Sequence, residues 1–578
     1  MQFTAPALEA ANRETLGHRE FPLKKPPLFI LIVLCAVVVT ILDRPPRALP
    51  KQAPLSVFSA ERAAEYLSVI GRAPHPLNSA EHDVVRDYIA QSLRDLGYSP
   101  EIQRTTNFNE NSHIPGALDN IACRLKGSST EKAVLIVAHY DSVPAGPGTS
   151  DDGVSVASML ETARILKSLP QLKRDVIFLF TDGEERGALG AQAFVSEHPW
   201  AHDAGVVLNF EARGTSGPSI MFETSDRNGW LIKNFAEVAP HPVANSLSYE
   251  IYKRLPAGSD LTIFKRAGYS GLNFAFIEGF VNYHSSHDSV QNLNHGSMQQ
   301  QGDYMLALAQ QFGNAGSDDP RPANLVYFDV LGQFLVRYSQ TIATVVSVIT
   351  GLVVAGAMYL GFRAKRLRFG VCLGGLVCSI TGILITAISA QAVAWPVLVA
   401  RRHFFKINDG PIDDATWYIL AFCLIGLACS TAFYLLVSKR IGADNLMGGS
   451  FIAWMFLVTV VSFFLPGGTY LFIWPLLFTA LAWFAIFART RMSARATGSI
   501  LFLGSLPAVV IMIPMIHKIF AAFAAGATVI VSGLLGLLLS LLIGPITMEP
   551  MRRRWLPISF LAGGLGVLVI AIVTSKIA

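Results

Sequence analysis

Apolar positions fall into two regimes along the chain. Between about Arg44 and Asn324, short apolar runs alternate with charged and glycine- or proline-rich stretches; beyond Ser339, long apolar blocks follow one another. In the first regime Val134-Leu-Ile-Val-Ala138, Val176-Ile-Phe-Leu-Phe180, Val206-Val-Leu-Asn-Phe210 and Leu272 to Ile277 are continuous apolar runs of strand length. Val154 to Leu169 repeats with helical spacing, and Ile220-Met-Phe-Glu-Thr224 reads as a further strand. Unbroken apolar strands are buried on both faces, so the pattern predicts an α/β domain with a mainly parallel central sheet and helices on both sides. Ligands of such sheets sit beyond the carboxyl ends of the strands.

The second regime predicts a polytopic all-α membrane domain. Eight spans can be drawn, roughly 340–362, 370–394, 416–437, 449–465, 469–488, 499–516, 519–543 and 557–575, each near the length that crosses about 30 Å of hydrocarbon. A ninth, Leu28 to Leu42, follows Lys24 and Lys25 and runs into Asp43-Arg44-Pro45-Pro46. Its length, at the upper limit for the apolar core of a signal peptide, favours an uncleaved anchor. The basic loops Arg363-Ala-Lys-Arg-Leu-Arg368, Lys439-Arg440, Arg489-Thr-Arg491 with Arg495, and Arg552-Arg-Arg554 alternate with less basic ones. All four fall on the cytoplasmic side if the amino terminus does, with Arg401, Arg402 and Lys406 as the exception. The expected organisation is a cytoplasmic tail over 1–27, a transmembrane helix over 28–42, an extracytoplasmic domain over 56–315, a linker over 316–339 and eight transmembrane helices over 340–578.

Composition sharpens this division. At 52% hydrophobic residues and a mean hydropathy of +0.43, the chain is too apolar for a soluble protein, and the lipid bilayer is an expected partner. The net charge of +5 is no sign of nucleic-acid binding, because many of the later Lys and Arg residues punctuate apolar blocks. Of six cysteines only Cys123 lies outside an apolar stretch, which excludes a disulfide framework and a thiolate metal site. No Asn-x-Ser/Thr acceptor occurs, which favours a bacterial inner membrane with the domain facing the periplasm over a vacuolar or endoplasmic-reticulum membrane with a lumenal domain. The late acids Asp409, Asp413, Asp414, Asp444 and Glu549 all fall in expected loops, against ion-coupled transport.

Candidate chemistry gathers at the strand ends. His139-Tyr-Asp141 closes the first strand, Asp182-Gly-Glu184-Glu185 follows the second, Glu211 the third, and Tyr283-His284 comes after the fourth; Asp151-Asp152-Gly153 opens the helix. Two imidazoles and several carboxylates without sulfur suit zinc, ahead of manganese or cobalt. Asp151 can bridge two metals, one oxygen to each. His139 and Glu211 then complete one site, and Glu185 and His284 the other. Asp141 is expected to hold the His139 imidazole from behind. Glu184, next to a ligand and not needed as one, is free to act as general base on an attacking water. Taken singly, each motif has a bland reading: a lone strand-end histidine is ordinarily structural, and Asp-Gly is an ordinary turn. Five stretches would all have to match by accident for the bland readings to hold together.

These same stretches, with Ser150-Asp151-Asp152-Gly153, Thr181-Asp-Gly-Glu184-Glu185 and Asn209-Phe-Glu211, resemble the motifs of the co-catalytic di-zinc aminopeptidases, metallopeptidase family twenty-eight, over roughly residues 56 to 315. With nine expected spans, the chain looks like the vacuolar membrane protease and endoplasmic-reticulum metallopeptidase branch. The resemblance implies a zinc-exopeptidase-like fold, two zinc ions per chain, a peptide substrate, Asp151 as bridging ligand, Glu184 as base, and Glu185, His139 and His284 as ligands. Glu211 stands where the family often has Asp. The resemblance also implies a cis peptide between Asp151 and Asp152, Tyr283 as oxyanion donor, and a place near the site for Ser259-Asp260, Phe264 and Gly268. Aminopeptidase-type hydrolysis is the expected activity, ahead of a carboxypeptidase or a one-zinc glutaminyl cyclase. The alternative is a catalytically silent receptor or transporter-associated protein. His287 rivals His284 as ligand, but the Tyr-His pair favours the latter. His198, His202, His241 and His295 read as surface residues. Arg213 is a candidate for a substrate carboxylate or a salt bridge, Glu223 for a substrate amino group, and 101–119 and 213–258 for the pocket loops.

Overall fold

The computed structural model describes residues 28–109, 114–316, 321–400, 415–489, 491–548 and 555–574. The tail 1–27, the charges Arg401, Arg402, Lys406, Asp409, Asp413, Asp414 and Glu549, and the Arg552-Arg-Arg554 run lie outside the described residues.

Seven strands form one sheet: β1 (Glu101–Asn109), β2 (Ile114–Leu125), β3 (Ala133–His139), β4 (Val176–Thr181), β5 (Ala204–Ala212), β6 (Ile220–Thr224) and β7 (Ser270–Phe276). Their order is β1-β2-β4-β3-β5-β7-β6. The four central strands, β4, β3, β5 and β7, run parallel, and every residue of β3, β4 and β7 is buried. The alternation of side chains explains why. Val134, Ile136, Phe178 and Leu208 enter one core with Val156, Leu160 and Leu308; Leu135, Val137, Leu179 and Val207 enter the other with Phe194, Leu261 and Phe264. Unbroken apolar strands therefore serve two helical layers at once.

The sheet departs from the expected parallel pattern at its margins. β1 pairs antiparallel with β2, β2 with β4, and β6 with β7, so the sheet is mixed. Much of 101–119, expected as pocket loop, is strand. Residues 213–258 likewise contain β6 and the helices Gly229–Val238 and Ser246–Tyr252. Part of the expected linker over 316–339 is a hairpin, β8 (Leu325–Val330) and β9 (Phe334–Ser339).

Beyond the hairpin the chain is helical. Among the described residues seven helices are long and apolar enough to cross a membrane: Gln340–Arg363, Phe369–Val397, Trp417–Ile441, Ala443–Phe464, Tyr470–Phe487, Ala494–Phe523 and Trp555–Val573. Leu28–Leu42 and Thr528–Leu541 are apolar but shorter. The break expected between 516 and 519 lies instead at Ala524–Ala527, since Ala494–Phe523 continues as one helix through Pro507 and Pro514. Asp444 is no loop residue: it occupies the first turn of Ala443–Phe464 and pairs with Arg366 at 2.8 Å. Arg366 also donates to the Ile486 carbonyl, so one basic loop ties together the ends of two helices. At the opposite end, the Pro466–Gly468 turn meets the α/β unit. The Ser246 hydroxyl donates to the Gly467 carbonyl at 2.6 Å, and a Cβ at Gly467 would lie only 2.8 Å from Glu250 Cγ. Phe328 of β8 stacks on Tyr470, ring centroids 4.7 Å apart.

Candidate metal centre

The parallel strands deliver their ends to one place. His139 is the last residue of β3, level with Thr181 of β4, and Glu211 is the penultimate residue of β5. After β4 the chain turns through Gly183, whose φ of 68° favours a residue without a side chain, into the Glu184–Arg186 turn. After β7 it passes the Phe280–Asn282 turn and reaches Tyr283 and His284. Asp151 precedes the Val154–Ser168 helix, and its peptide bond to Asp152 is cis.

Five side chains converge there as two groups that share Asp151. His139 Nε2 lies 3.3 Å from Asp151 Oδ1 and 3.5 Å from Glu211 Oε2. His284 Nε2 lies 3.2 Å from Asp151 Oδ2 and 3.2 Å from Glu185 Oε1. One donor atom from each of His139, Asp151 and Glu211, and one from each of Asp151, Glu185 and His284, fall within 4.8 Å of one another, close enough for each trio to hold an ion. Two imidazoles and three carboxylates without a thiolate form the donor chemistry that zinc accepts. His287 is exposed and belongs to neither trio.

Burial and charge set the protonation of these groups. Burial works against a charged His284, but its hydrogen bonds to Asp151 and Glu185 prevail and raise it to about 10. Asp151 shows the reverse balance: burial would raise it, and the His139 and His284 contacts hold it below the usual carboxylate range. Glu185 is pushed up to about 7 by burial and by the Asp151 charge. Glu184 is raised well above its ordinary value by burial, with the neighbouring Glu211 charge adding to it. Burial and the surrounding carboxylates raise the Tyr283 phenol as well, so it remains a proton donor at neutral pH. Its ring stacks on the His284 imidazole, centroids 3.7 Å apart, and on Phe280 at 5.7 Å, over which the Arg213 guanidinium lies. His284 itself has a φ of 55°, an uncommon conformation for a residue with a side chain, held by this stack and by the surrounding loop.

The supporting residues differ in part from expectation. Asp141 lies behind the His139 imidazole as expected, its carboxylate Oδ1 3.5 Å from Nδ1, and it has a second task. His139 Nδ1 meets the Asp141 backbone carbonyl at 3.0 Å, while the Asp141 carboxylate accepts the backbone N–H groups of Glu184 at 2.9 Å and Glu185 at 3.3 Å. It thereby fixes the turn that carries the base and a ligand. Asp152 is buried behind the pair, outside both trios, and burial raises its carboxyl well above the ordinary value. Asp260 is buried and accepts from the Thr181 hydroxyl. Glu223 is buried, 2.8 Å from Lys265 Nζ and 3.0 Å from Asn273 Nδ2, so its carboxylate is already engaged by the protein's own groups. Arg213 is exposed and rests on Phe280, with no salt bridge among the described residues. Of the histidines expected at the surface, His202 and His241 are exposed and His295 is half-buried, but His198 is buried against Phe194.

Sequence reasoning missed Asp288. Its buried carboxylate accepts the backbone N–H of Ser150 at 2.7 Å and of Asp151 at 3.1 Å, holding the loop that aims Asp151. It also left Asn209 without a role, although Asn209 Nδ2 donates to Glu211 Oε1 at 3.1 Å and bonds Asn273.

The chain is similar to several known proteins. Endoplasmic reticulum metallopeptidase 1 of Mus musculus is 28% identical over 398 residues, covering 64% of this chain and 44% of the relative. Vacuolar membrane protease of Candida albicans (strain WO-1) is 32% identical over 284 residues, 48% of this chain and 33% of the relative. The chain thus spans less than half the length of these curated relatives. Among solved structures, the aminopeptidase from Aneurinibacillus sp. strain AM-1 aligns over 47% of this chain and 98% of its own at 14% identity, with a TM-score of 0.38. Residues 120–309, which hold all five clustered side chains, match the model of Peptidase family M28, and the chain carries a domain of that family.

Proposed function

We propose that this chain is a membrane-embedded zinc metallopeptidase that removes amino-terminal residues from peptides, holding two zinc ions per chain. The observation that carries the reading is the division of Asp151: one carboxylate oxygen belongs to the His139–Glu211 trio and the other to the Glu185–His284 trio. Bound there, zinc supplies positive charge that acidifies water and polarises a scissile carbonyl. Glu184 takes a proton from the attacking water as the water oxygen bonds to the carbonyl carbon. It returns that proton to the nitrogen as the C–N bond breaks, leaving a carboxylic acid and an amine, which become carboxylate and ammonium once the acid's proton passes to the amine. Burial raises the Glu184 carboxyl above its ordinary value, the direction that makes a carboxylate a stronger proton acceptor. Tyr283, kept protonated, donates to the oxygen that gains charge. Asp141 and Asp288 bind no substrate; they hold the backbone on which Glu184, Glu185 and Asp151 are mounted.

The same reading places the 56–315 domain outside the cytoplasm, in a bacterial periplasm or in a vacuolar or endoplasmic-reticulum lumen, with Leu28–Leu42 and Thr528–Leu541 joining the seven long helices as spans. It is supported by the gathering of the Arg366 loop and the ends of Ala443–Phe464 and Tyr470–Phe487 on one side, while the Pro466–Gly468 turn meets the α/β unit on the other. The decisive experiment uses the full chain purified in detergent. Zinc content and hydrolysis of aminoacyl and peptidyl substrates are measured for the wild type and for Glu184→Gln. The variant should keep its zinc and lose on the order of 10²–10⁴ in kcat, the share a general base contributes. Wild-type turnover in the zinc-loaded variant would remove Glu184 from the reaction, and a wild type that takes up no zinc would remove the reading altogether.

A further inference from the structure

The loop that delivers Tyr283 and His284 is braced from outside the α/β unit. It begins at Glu278, which closes a backbone bridge to Ser216: its N–H donates to the Ser216 carbonyl at 3.0 Å, and its carbonyl accepts the N–H groups of Thr215 and Ser216 at 2.9 Å. Asn282 returns to the same segment, its Nδ2 donating to Thr215 Oγ1 at 2.8 Å. The Glu278 side chain, however, points away from the sheet toward the Ala494–Phe523 helix, where its Oε1 lies 3.6 Å from His517 Nδ1.

His517 does not sit on a movable support. The next residue, Lys518, is buried with its Nζ 3.2 Å from Asp43, at the end of Leu28–Leu42, and 3.6 Å from Asp329 in β8. A buried cation between two carboxylates fixes the position and rotation of its helix, because withdrawing either partner strands a charge away from water. The adjacent His517 is therefore presented to Glu278 from a point held by an apolar helix and by the α/β unit's own hairpin. Five residues separate Glu278 from His284, and the stack Phe280–Tyr283–His284 leaves the segment little slack, with His284 already at a positive φ.

We propose that the Ala494–Phe523 helix, acting through His517 and Glu278, positions the loop that carries His284, so that the centre is complete only when the α/β unit is seated on the membrane helices. His517 and Glu278 are positioning residues; neither belongs to a metal-binding trio. The inference rests on the two-zinc reading for its consequence, since the trio of Asp151, Glu185 and His284 is the one it stiffens. The geometric part stands independently of metal.

The test uses the full chain in detergent with His517→Ala, His517→Gln, Glu278→Gln and the His517→Ala/Glu278→Gln double variant. Arg254→Ala is the control, because Arg254 also bridges to the membrane helices, at the Phe464 carbonyl, without touching the loop. Hydrogen exchange is followed first in metal-free protein. Amides over 279–284 should exchange faster in His517→Ala and Glu278→Gln, the double variant should be no worse than either single one, and β3 and β5 should be unchanged. His517→Gln, which can still donate to Glu278, should restore part of the protection. Arg254→Ala should leave the loop as it is. Chelator competition should then show the zinc of the Asp151, Glu185 and His284 trio lost two- to fivefold more readily, roughly the worth of one half-exposed ion pair, with the other ion unaffected. Unchanged exchange over 279–284, additive effects in the double variant, or equal weakening of both ions would each overturn the proposal. A wild type that binds no zinc would instead defeat the peptidase reading, while the exchange measurements still decide this one.

Discussion

Asp288→Ala removes the acceptor for two buried backbone donors at once. The Ser150 and Asp151 N–H groups, at 2.7 and 3.1 Å from the carboxylate, lie in a loop whose side chains are almost wholly shielded. Hydrogen bonds to a charged acceptor are worth roughly 1.5–3 kcal/mol each, and a donor left buried without one costs about 1–3 kcal/mol. Two of them set a ceiling near 6 kcal/mol. Water entering the space vacated by the carboxylate recovers part of that, leaving about 2–4 kcal/mol. The loss falls on the residue both trios share, so it is felt by both ions. If only a third to a half of it appears as metal affinity, each ion is weakened by about 3- to 30-fold, overlapping the lower part of the roughly 10- to 100-fold range typical of groups that orient ligands from behind. The assay is competition with a chelator of known affinity, read as two stepwise zinc constants. Asp288→Asn, which keeps one acceptor oxygen, should fall between the alanine variant and the wild type. Two constants within twofold of wild type in Asp288→Ala would refute the reasoning, and loss of one ion alone would show that the loop does not act through Asp151.

Removing single ligands should separate the trios. Glu185→Gln should leave about one zinc per chain by elemental analysis, whereas Asp151→Asn should leave neither ion at stoichiometric metal, since both trios lose a charged oxygen. Asp141→Ala frees the Glu184 and Glu185 amides; kcat should fall by about 10-fold or more, and the ion held with Glu185 should be lost more readily to chelator, because the turn carries both the base and a ligand. Asp303 offers a prediction remote from the metal. Burial raises it to about 7, against the hydrogen bond from Gln299 that favours its charge. Its folded value lies above its unfolded one, so the stability it contributes is complete below about pH 4 and is lost as pH rises through 7. Asp303→Asn should therefore match the wild type near pH 4 and exceed it at pH 8 by on the order of 1–2 kcal/mol, allowing for partial exposure. Urea unfolding at the two pH values checks it, and an equal difference at both would contradict the assignment.

What could be read from the chain and what could not divides by the range of the interaction. His139, Glu184, Glu185 and Glu211 could be picked out as candidates because each follows, or ends, an apolar run long enough to be a buried strand, and ligands of such sheets gather beyond the carboxyl ends of the strands. The antiparallel margins were not legible in the same way. β1 and β2 mix polar and apolar positions because β1 lies at the sheet's edge, and the stretch resembles loop until its partner is known. Asp288 could not be recognised, because its partners are backbone amides 137 and 138 residues away and no side-chain pattern records them. The turn at Ala524–Ala527 carries no proline, charge or asparagine, so hydropathy alone placed the break several residues early, at the charged His517-Lys518 step. That misplacement has a physical source. A lysine in an apolar helix reads as a helix end because it is expected to reach water, and here it reaches Asp43 and Asp329 instead. The residue that looked like punctuation helps fasten the membrane helices to the domain they carry, an arrangement that only the folded chain could reveal because all three charges come from segments far apart in sequence.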